Sequence, residues 1–331
     1  MTRPSIDVIA IGNAIVDVMA PCTDEDITRL GLAKGGMTLV DTDQAHALYD
    51  AMGPAREISG GSAANTLAGL AALGAKCAFI GQVAQDQLGE VFAHDIRAGG
   101  ISFATPARPG EPPTARCLIF VTPDGQRTMN TYLGASQFLP SAELDDAAIA
   151  DAAVLYLEGY LWDPEEPRAA MRRAIAAARA AGRKVAFTLS DAFVIARHGD
   201  DFRAMIAAGE IDILFANEHE LAALTGIEDF HAGITALGGQ IPTVVVTRSE
   251  QGAYAIHAGE HAEVAAEPVA QVIDTTGAGD LFAAGFLFGF IRERPLAECL
   301  RLGAICAAEV ISHYGARPEV NLTELVATKL G

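Results

Sequence analysis

Asp274-Thr275-Thr276-Gly277-Ala278-Gly279-Asp280, followed directly by the apolar run LFAAGFLFGFI at 281–291, is the stretch on which the reading of this 331-residue chain turns. Its glycines let the backbone bend sharply, and the apolar run after them has the length of a buried helix, far short of the ~20 residues a membrane span needs. At the start of such a helix the N–H groups of Gly277, Ala278, Gly279 and Asp280 have no carbonyl to bond and point outward, which makes an anion site. Asp280 falls in the first turn, where the helix dipole favours a carboxylate. A carboxylate beside an anion hole suits phosphoryl transfer, in which positioning and charge neutralisation dominate and a weak base takes the acceptor's proton. The plainer alternative is a capped core helix with Asp280 as an ordinary first-turn acid.

Outward from this segment, short apolar runs at 6–11 (IDVIAI), 78–80, 154–157, 185–189, 211–215 and 243–247 read as buried strands. Between them lie segments of helical period, such as 165–181, where Met171, Ile175 and Ala178 share a face opposite the arginines. Alternation of this kind predicts an α/β fold, three layers α/β/α, with a mostly parallel sheet whose ligands bind beyond the strands' carboxyl ends. Two stretches break the rhythm. Residues 117–121 and 127–133, joined by Thr122-Pro123-Asp124-Gly125, read as a β-hairpin, and GGMTLVD at 35–41 is a further strand-like piece. They predict a small β-sheet lid, discontinuous over roughly 13–42 and 109–136, inside one domain of 1–331; the Pro-rich 106–113 leads into it. No internal repeat divides the chain.

The charge sum is −19, half of the residues are hydrophobic and 20% are charged, which excludes a disordered chain. It also makes nucleic acid and anionic membrane surfaces poor partners, while a small anionic ligand remains possible if its charge is met locally. Five cysteines, an odd number without a C-x-x-C pair, and no signal-peptide pattern at the start point to a reducing cytoplasm.

Three further motifs could carry chemistry. Gly60-Gly61-Ser62-Ala63-Ala64-Asn65 opens a helix at Ser62, and its paired glycines allow a hydroxylated substrate to approach the backbone while Asn65 bonds to it; the competing reading is a glycine turn with a serine cap. Gly12-Asn13-Ala14-Ile15-Val16-Asp17 follows the first strand, and Asp17 has acceptor capacity for two neighbouring hydroxyls, or is a solvated turn residue. Asn217 and Glu220, three apart after the strand IDILF, could hold hydrated Mg2+, and equally form a capping box. Other chemistries lack their residues: no lysine lies in a G-K-[ST] sequence, Phe282 stands at the third glycine of a dinucleotide fingerprint, His257 and His261 have no further zinc ligand near, and G-x-S-x-G is absent.

GGSAAN and DTTGAGD, in this order about 214 residues apart with NEHE between them, resemble the two signatures and the N-x-x-E motif of the ribokinase-like (PfkB) family of carbohydrate and nucleoside kinases. The resemblance runs from about Val8 to Pro318. It implies a ribokinase-like fold with a β lid, ATP and Mg2+ as co-substrates, and phosphorylation of a primary alcohol. It further implies Asp280 as catalytic base, Gly277, Ala278 and Gly279 as the anion hole, and Asn217 and Glu220 organising Mg2+ through water. Thr247, Arg248, Gly252 and Thr276 would lie on the nucleotide side, with Arg127 of the hairpin closing over the phosphates. The opening GNAIVD, TLSDAF at 188–193 and ILFANEHE at 213–220 resemble the adenosine-kinase branch. That resemblance implies Asn13, Asp17, Gly60, Gly61 and Asn65 on the ribose, and Leu133, Tyr160 and Leu161 over the purine of adenosine, with AMP and ADP as products. Against it stand a PfkB kinase for ribose, fructose or a related sugar, and a nucleotide-binding sensor without turnover. The family pattern also allows K+ at the 274–276 loop and the Gly315 turn, and either a monomer or a lid-mediated homodimer.

Overall fold

The computed structural model describes residues 4–331. Among these residues fourteen strands form two sheets. The large one is built from β1 (Ile6–Ile11), β5 (Cys77–Ile80), β6 (Ile101–Phe103), β9 (Ala152–Glu158), β10 (Lys184–Thr188), β11 (Ile213–Asn217), β12 (Thr243–Thr247), β13 (Ala253–His257) and β14 (Glu260–Val264), in the order β14-β13-β12-β11-β10-β9-β1-β5-β6. Every pair from β6 to β12 is parallel; β13 and β14 add an antiparallel edge.

Helices cover both faces, which is why these strands read as unbroken apolar runs instead of alternating ones. Along β1, Val8 and Ala10 join one core layer while Ile9 and Ile11 join the other. Phe282 and Phe286 of the helix Ala278–Phe290 pack in the first layer. Met171, Ile175 and Ala178 of Glu165–Ala180 pack in the second, with the edge-to-face cluster of Trp162, Phe187 and Phe202. Each such side chain contributes about 1.5–3 kcal/mol by leaving water. No helix among the described residues is long and apolar enough to cross a membrane.

The small sheet has the order β3-β8-β7-β2-β4, with β2 (Ile15–Pro21), β3 (Met37–Leu39), β4 (Arg56–Gly60), β7 (Ala115–Val121) and β8 (Arg127–Tyr132). The hairpin of β7 and β8 is antiparallel, and β3 pairs with β8. Strand β4 lies outside the 13–42 and 109–136 bounds expected for the lid. Its sequence, REISG, begins with two charges and is buried only at Ser59 and Gly60, so nothing apolar announces it; pairing with β2 makes it a strand.

The two faces of this sheet differ. Val16, Val18, Leu118, Phe120 and Tyr132 pack beneath it with Ile27, Ala45 and Leu48. On the opposite face the registers align Ile58, Asp17, Cys117, Thr131 and Leu39 in one cross-strand row, and Arg56, Met19, Ile119, Met129 and Met37 in the next. Arg127, two residues before Met129, shares that face and reaches the 274–276 loop, so the face looks toward the large sheet.

Candidate active site

The site forms where the carboxyl end of the large sheet meets the small one. Helix Ala278–Phe290 begins at Gly277, whose φ of 79° is left-handed, and a Cβ there would lie 2.7 Å from the Cβ of Ala316. The first intrahelical bond runs from the Leu281 N–H to the Gly277 carbonyl (2.8 Å), which leaves the N–H groups of Gly279 and Asp280 ahead of the ladder. The Ala278 N–H is already given to the Thr275 carbonyl (3.2 Å), so of the anticipated anion-hole residues Ala278 is engaged inside the protein. Around Gly279 the space is open: a Cβ would meet nothing within 4 Å.

Asp280 accepts from Ser62 Oγ at its Oδ1 (2.6 Å) and from Asn65 Nδ2 at its Oδ2 (3.1 Å). The two glycine motifs, 214 residues apart in sequence, therefore meet at this carboxylate. The helix Ser62–Ala72 is capped by Gly61 at φ 96° with no side-chain cap bond, which releases Ser62 to serve Asp280 instead of capping its own helix. Burial raises the Asp280 carboxyl above its ordinary value, against the bonds from Ser62 and Asn65 and the charge of Arg317. Asn65 Oδ1 is buried without a partner and remains an acceptor for a ligand.

Asp17 of β2 faces the same space, and burial pushes its carboxyl up to about 6 despite Arg127 and Arg317 nearby. Asn13 is buried, its backbone and side-chain N–H groups both donate to Glu158 Oε1 (2.7 Å each), and its Oδ1 accepts from Ser136 Oγ (2.8 Å). These bonds orient the Asn13 amide from inside the protein and leave one Nδ2 hydrogen and one Oδ1 lone pair unused. Leu161 is withdrawn. The 3-10 turn Gly159–Trp162 rotates it fully into the second core layer, whereas Tyr160 stays 37% exposed. Leu133 lines a cavity of 420 Å³ with Leu39, Thr131, Gln137 and Phe138 at the edge of the small sheet.

Arg127 is not a free cation. It is buried, closed in an ion pair on Asp274, and donates to Thr276 Oγ (3.0 Å). Asp274 also accepts from the N–H groups of Thr276 (3.0 Å) and Gly315 (2.9 Å), so the 274–276 loop and the Gly315 turn are in contact. On the nucleotide side, Asn217 caps Glu218–Thr225 and Glu220 returns the capping box: its carboxylate accepts from the Asn217 backbone (3.0 Å) and amide (2.8 Å). Thr247 ends β12, and Arg248 stacks on Phe230 (4.1 Å from the ring centre) next to Glu218, before Gly252 closes the turn. Among the described residues no group of three or more His, Cys, Asp or Glu side chains forms a metal cluster.

Motif reading missed Glu158. Fully buried at the end of β9, it ties Asn13 through Oε1 and the Ala63 N–H through Oε2 (2.8 Å), and so joins the starts of both acceptor-side motifs. Burial pushes the Glu158 and Glu220 carboxyls up to about 7. The fold therefore favours their protonated forms: this stability is complete below the unfolded value near 4.5 and is lost as pH rises through 7. Glu158→Gln is expected to flatten the pH dependence of urea-measured stability between pH 4.5 and 7 by up to one proton's worth, about 1.4 kcal/mol per pH unit. An unchanged slope would show that Glu158 is ionised throughout.

The sequence profile of the pfkB family carbohydrate kinases matches residues 42–322. The chain belongs to the PfkB family. Among solved structures, this PfkB kinase is similar to an adenosine kinase from Sinorhizobium meliloti (48% identity, TM-score 0.90, 98% of this chain and 99% of that one). It is also similar to a probable sugar kinase from Rhizobium etli CFN 42 (44% identity, TM-score 0.91, 99% of both chains). A cytidine kinase of Thermococcus kodakarensis is 42% identical over 108 residues, 32% of this chain and 38% of that one. The ribokinase-like fold and the kinase class follow; these relatives carry both nucleoside and sugar names.

Proposed function

We propose that this PfkB kinase transfers the γ-phosphoryl group of ATP to the 5′-hydroxyl of adenosine, giving AMP and ADP. The observation that carries the acceptor is the inner face of the small sheet, where Asp17 shares its cross-strand row with Cys117, Thr131 and Leu39 and has Met19, Ile119 and Met129 in the next. A purine asks for broad apolar cover, and its ribose for a few hydroxyl partners. A bare sugar in the same space would leave its hydroxyls facing apolar atoms, at a cost. The identity to an adenosine kinase over nearly the whole chain supports the same reading.

On this reading the ribose hydroxyls lie against Asp17, Gly60 and Gly61, with Asn65 Oδ1 as a further acceptor. The 5′-hydroxyl proton passes to the Asp280 carboxylate as the oxygen attacks phosphorus, and the bond from phosphorus to the oxygen bridging it to ADP breaks. The free N–H groups at Gly279 and Asp280 bond the phosphoryl oxygens, on which charge would otherwise be unmet in a chain this acidic. Asp280 must be ionised to act, and the bonds from Ser62 and Asn65 favour that form against burial. Thr247, Arg248 and Gly252 border the nucleotide, and opening of the Asp274 pair would release Arg127 toward its phosphates.

Mg2+ fits at Glu220. Each oxygen there spends one lone pair on Asn217, a carboxylate has about four, and oxygen donors with retained waters are what this ion takes. When bound it supplies neutralising charge to the terminal phosphates.

With MgATP and a panel of adenosine, inosine, ribose and fructose, ADP release is expected to give adenosine the highest kcat/KM, above either sugar by on the order of 100-fold. If ribose or fructose outpaces it, the nucleoside assignment fails and the kinase class stands.

A further inference from the structure

Arg317 lies in the segment after the helix Leu296–Val310 and returns to the acceptor side of the site. Its Nε and Nη2 donate to the Ser59 carbonyl (3.0 and 2.8 Å), Nη2 also to Ser59 Oγ (3.1 Å), and Nη1 to the Ala64 carbonyl (2.8 Å). The guanidinium thus spans the Gly60-Gly61 turn from one side to the other and grips the backbone that carries Ser62 and Asn65 to Asp280. All of these acceptors are neutral.

Charge makes the position unusual. The titratable groups facing Asp280 are Asp17 from β2, Tyr156 and Glu158 from β9, Tyr160 from the 3-10 turn, and Arg317. Arg127, the other arginine near Asp17, is closed on Asp274. Among the described residues Arg317 forms no ion pair of its own, so its charge acts at longer range on Asp17 and Asp280 across the turn and on Asp95, which accepts from the Ser59 N–H.

We propose that Arg317 is a positioning residue for phosphoryl transfer: it fixes the Ser59–Ala64 backbone that aims Ser62 and Asn65 at Asp280, and its unpaired charge holds Asp280 as the carboxylate that accepts the proton. This rests on Asp280 being the base. Burial lowers the guanidinium to about 10, which leaves it charged throughout the working range. Without that charge Asp280 binds its proton more tightly, and the carboxylate form required for turnover appears only at higher pH.

The test is the pH profile of kcat for R317M, R317Q and R317K, with Tm measured beside it, using whichever acceptor the panel above selects. R317M is expected to move the acidic limb up by about one unit, a loss of about tenfold on that limb recovered as pH rises. R317K, which keeps the charge, is expected to return the limb to the wild-type position. R317Q keeps donors to the carbonyls without charge and must shift as R317M does, including if R317M does not fold. Superimposable profiles for wild type and either neutral variant, with only Tm lowered, would overturn the proposal and leave Arg317 a staple. The two levels separate cleanly: a fully active D280N refutes the base assignment, whereas an inactive D280N with an unshifted R317Q profile refutes Arg317 alone.

Discussion

Asp280→Asn is expected to lower kcat by at least ~10²-fold while Tm stays level or rises. The side chains have the same shape, so the substitution removes the proton acceptor and little else. Ser62 Oγ, 2.6 Å from Oδ1, can still donate to an amide oxygen, and Asn65 can adjust because its own Oδ1 is free to accept from the new amide. Stability should not suffer: burial already raises the Asp280 carboxyl, so a neutral group avoids a desolvation penalty that exceeds the roughly 0.3–1 kcal/mol of helix-dipole attraction it forgoes. Single-turnover phosphoryl transfer and thermal melting measure the two halves. Near-full activity would remove Asp280 from its role.

Gly279→Val separates room kept for a ligand from room needed by the fold. Gly279 is in the first helical turn, its backbone is not left-handed, and an added Cβ meets nothing within 4 Å. Folding alone places no demand for glycine there, and a side chain costs the empty protein little. With ATP present the branched side chain stands before the N–H groups of Gly279 and Asp280. The expected result is a melting temperature within a few degrees of wild type, and kcat/KM for ATP reduced on the order of 10²-fold, comparable with losing one donor to a developing oxyanion. Gly277→Val is the contrasting control: at φ 79° and against Ala316 it should destabilise the apo protein itself. Wild-type affinity for ATP in Gly279→Val would mean that the phosphates bind elsewhere.

Six strands of the large sheet and the hairpin Ala115–Val121/Arg127–Tyr132 are legible in the sequence because each has a local signature, an apolar run or a Pro/Gly turn, whereas the three-residue Ile101–Phe103 and the edge strands Ala253–His257 and Glu260–Val264, the last of them largely polar and exposed, have none. The meeting of the two glycine motifs is legible only through family resemblance, since no spacing rule brings Ser62 to Asp280. Glu158 and Arg317 escape notice for a different reason. Each sits where nothing local marks it, one at the end of an apolar strand and the other in an irregular turn, and each has its partners in segments distant along the chain. Arg56–Gly60 becomes a strand through its neighbour and not through its own composition. Asn13 has the residue type that a sugar subsite wants, and its amide is oriented by Glu158 and Ser136, partners that sequence does not reveal.

One carboxylate clips the backbone just before β2 and just after β4, because Glu158 takes the N–H of Asn13 with one oxygen and the N–H of Ala63 with the other. Both acceptor-side motifs are thereby tied to one side chain, so a change at residue 158 reaches the Gly12–Asn13 and the Gly61–Ser62 backbone at once.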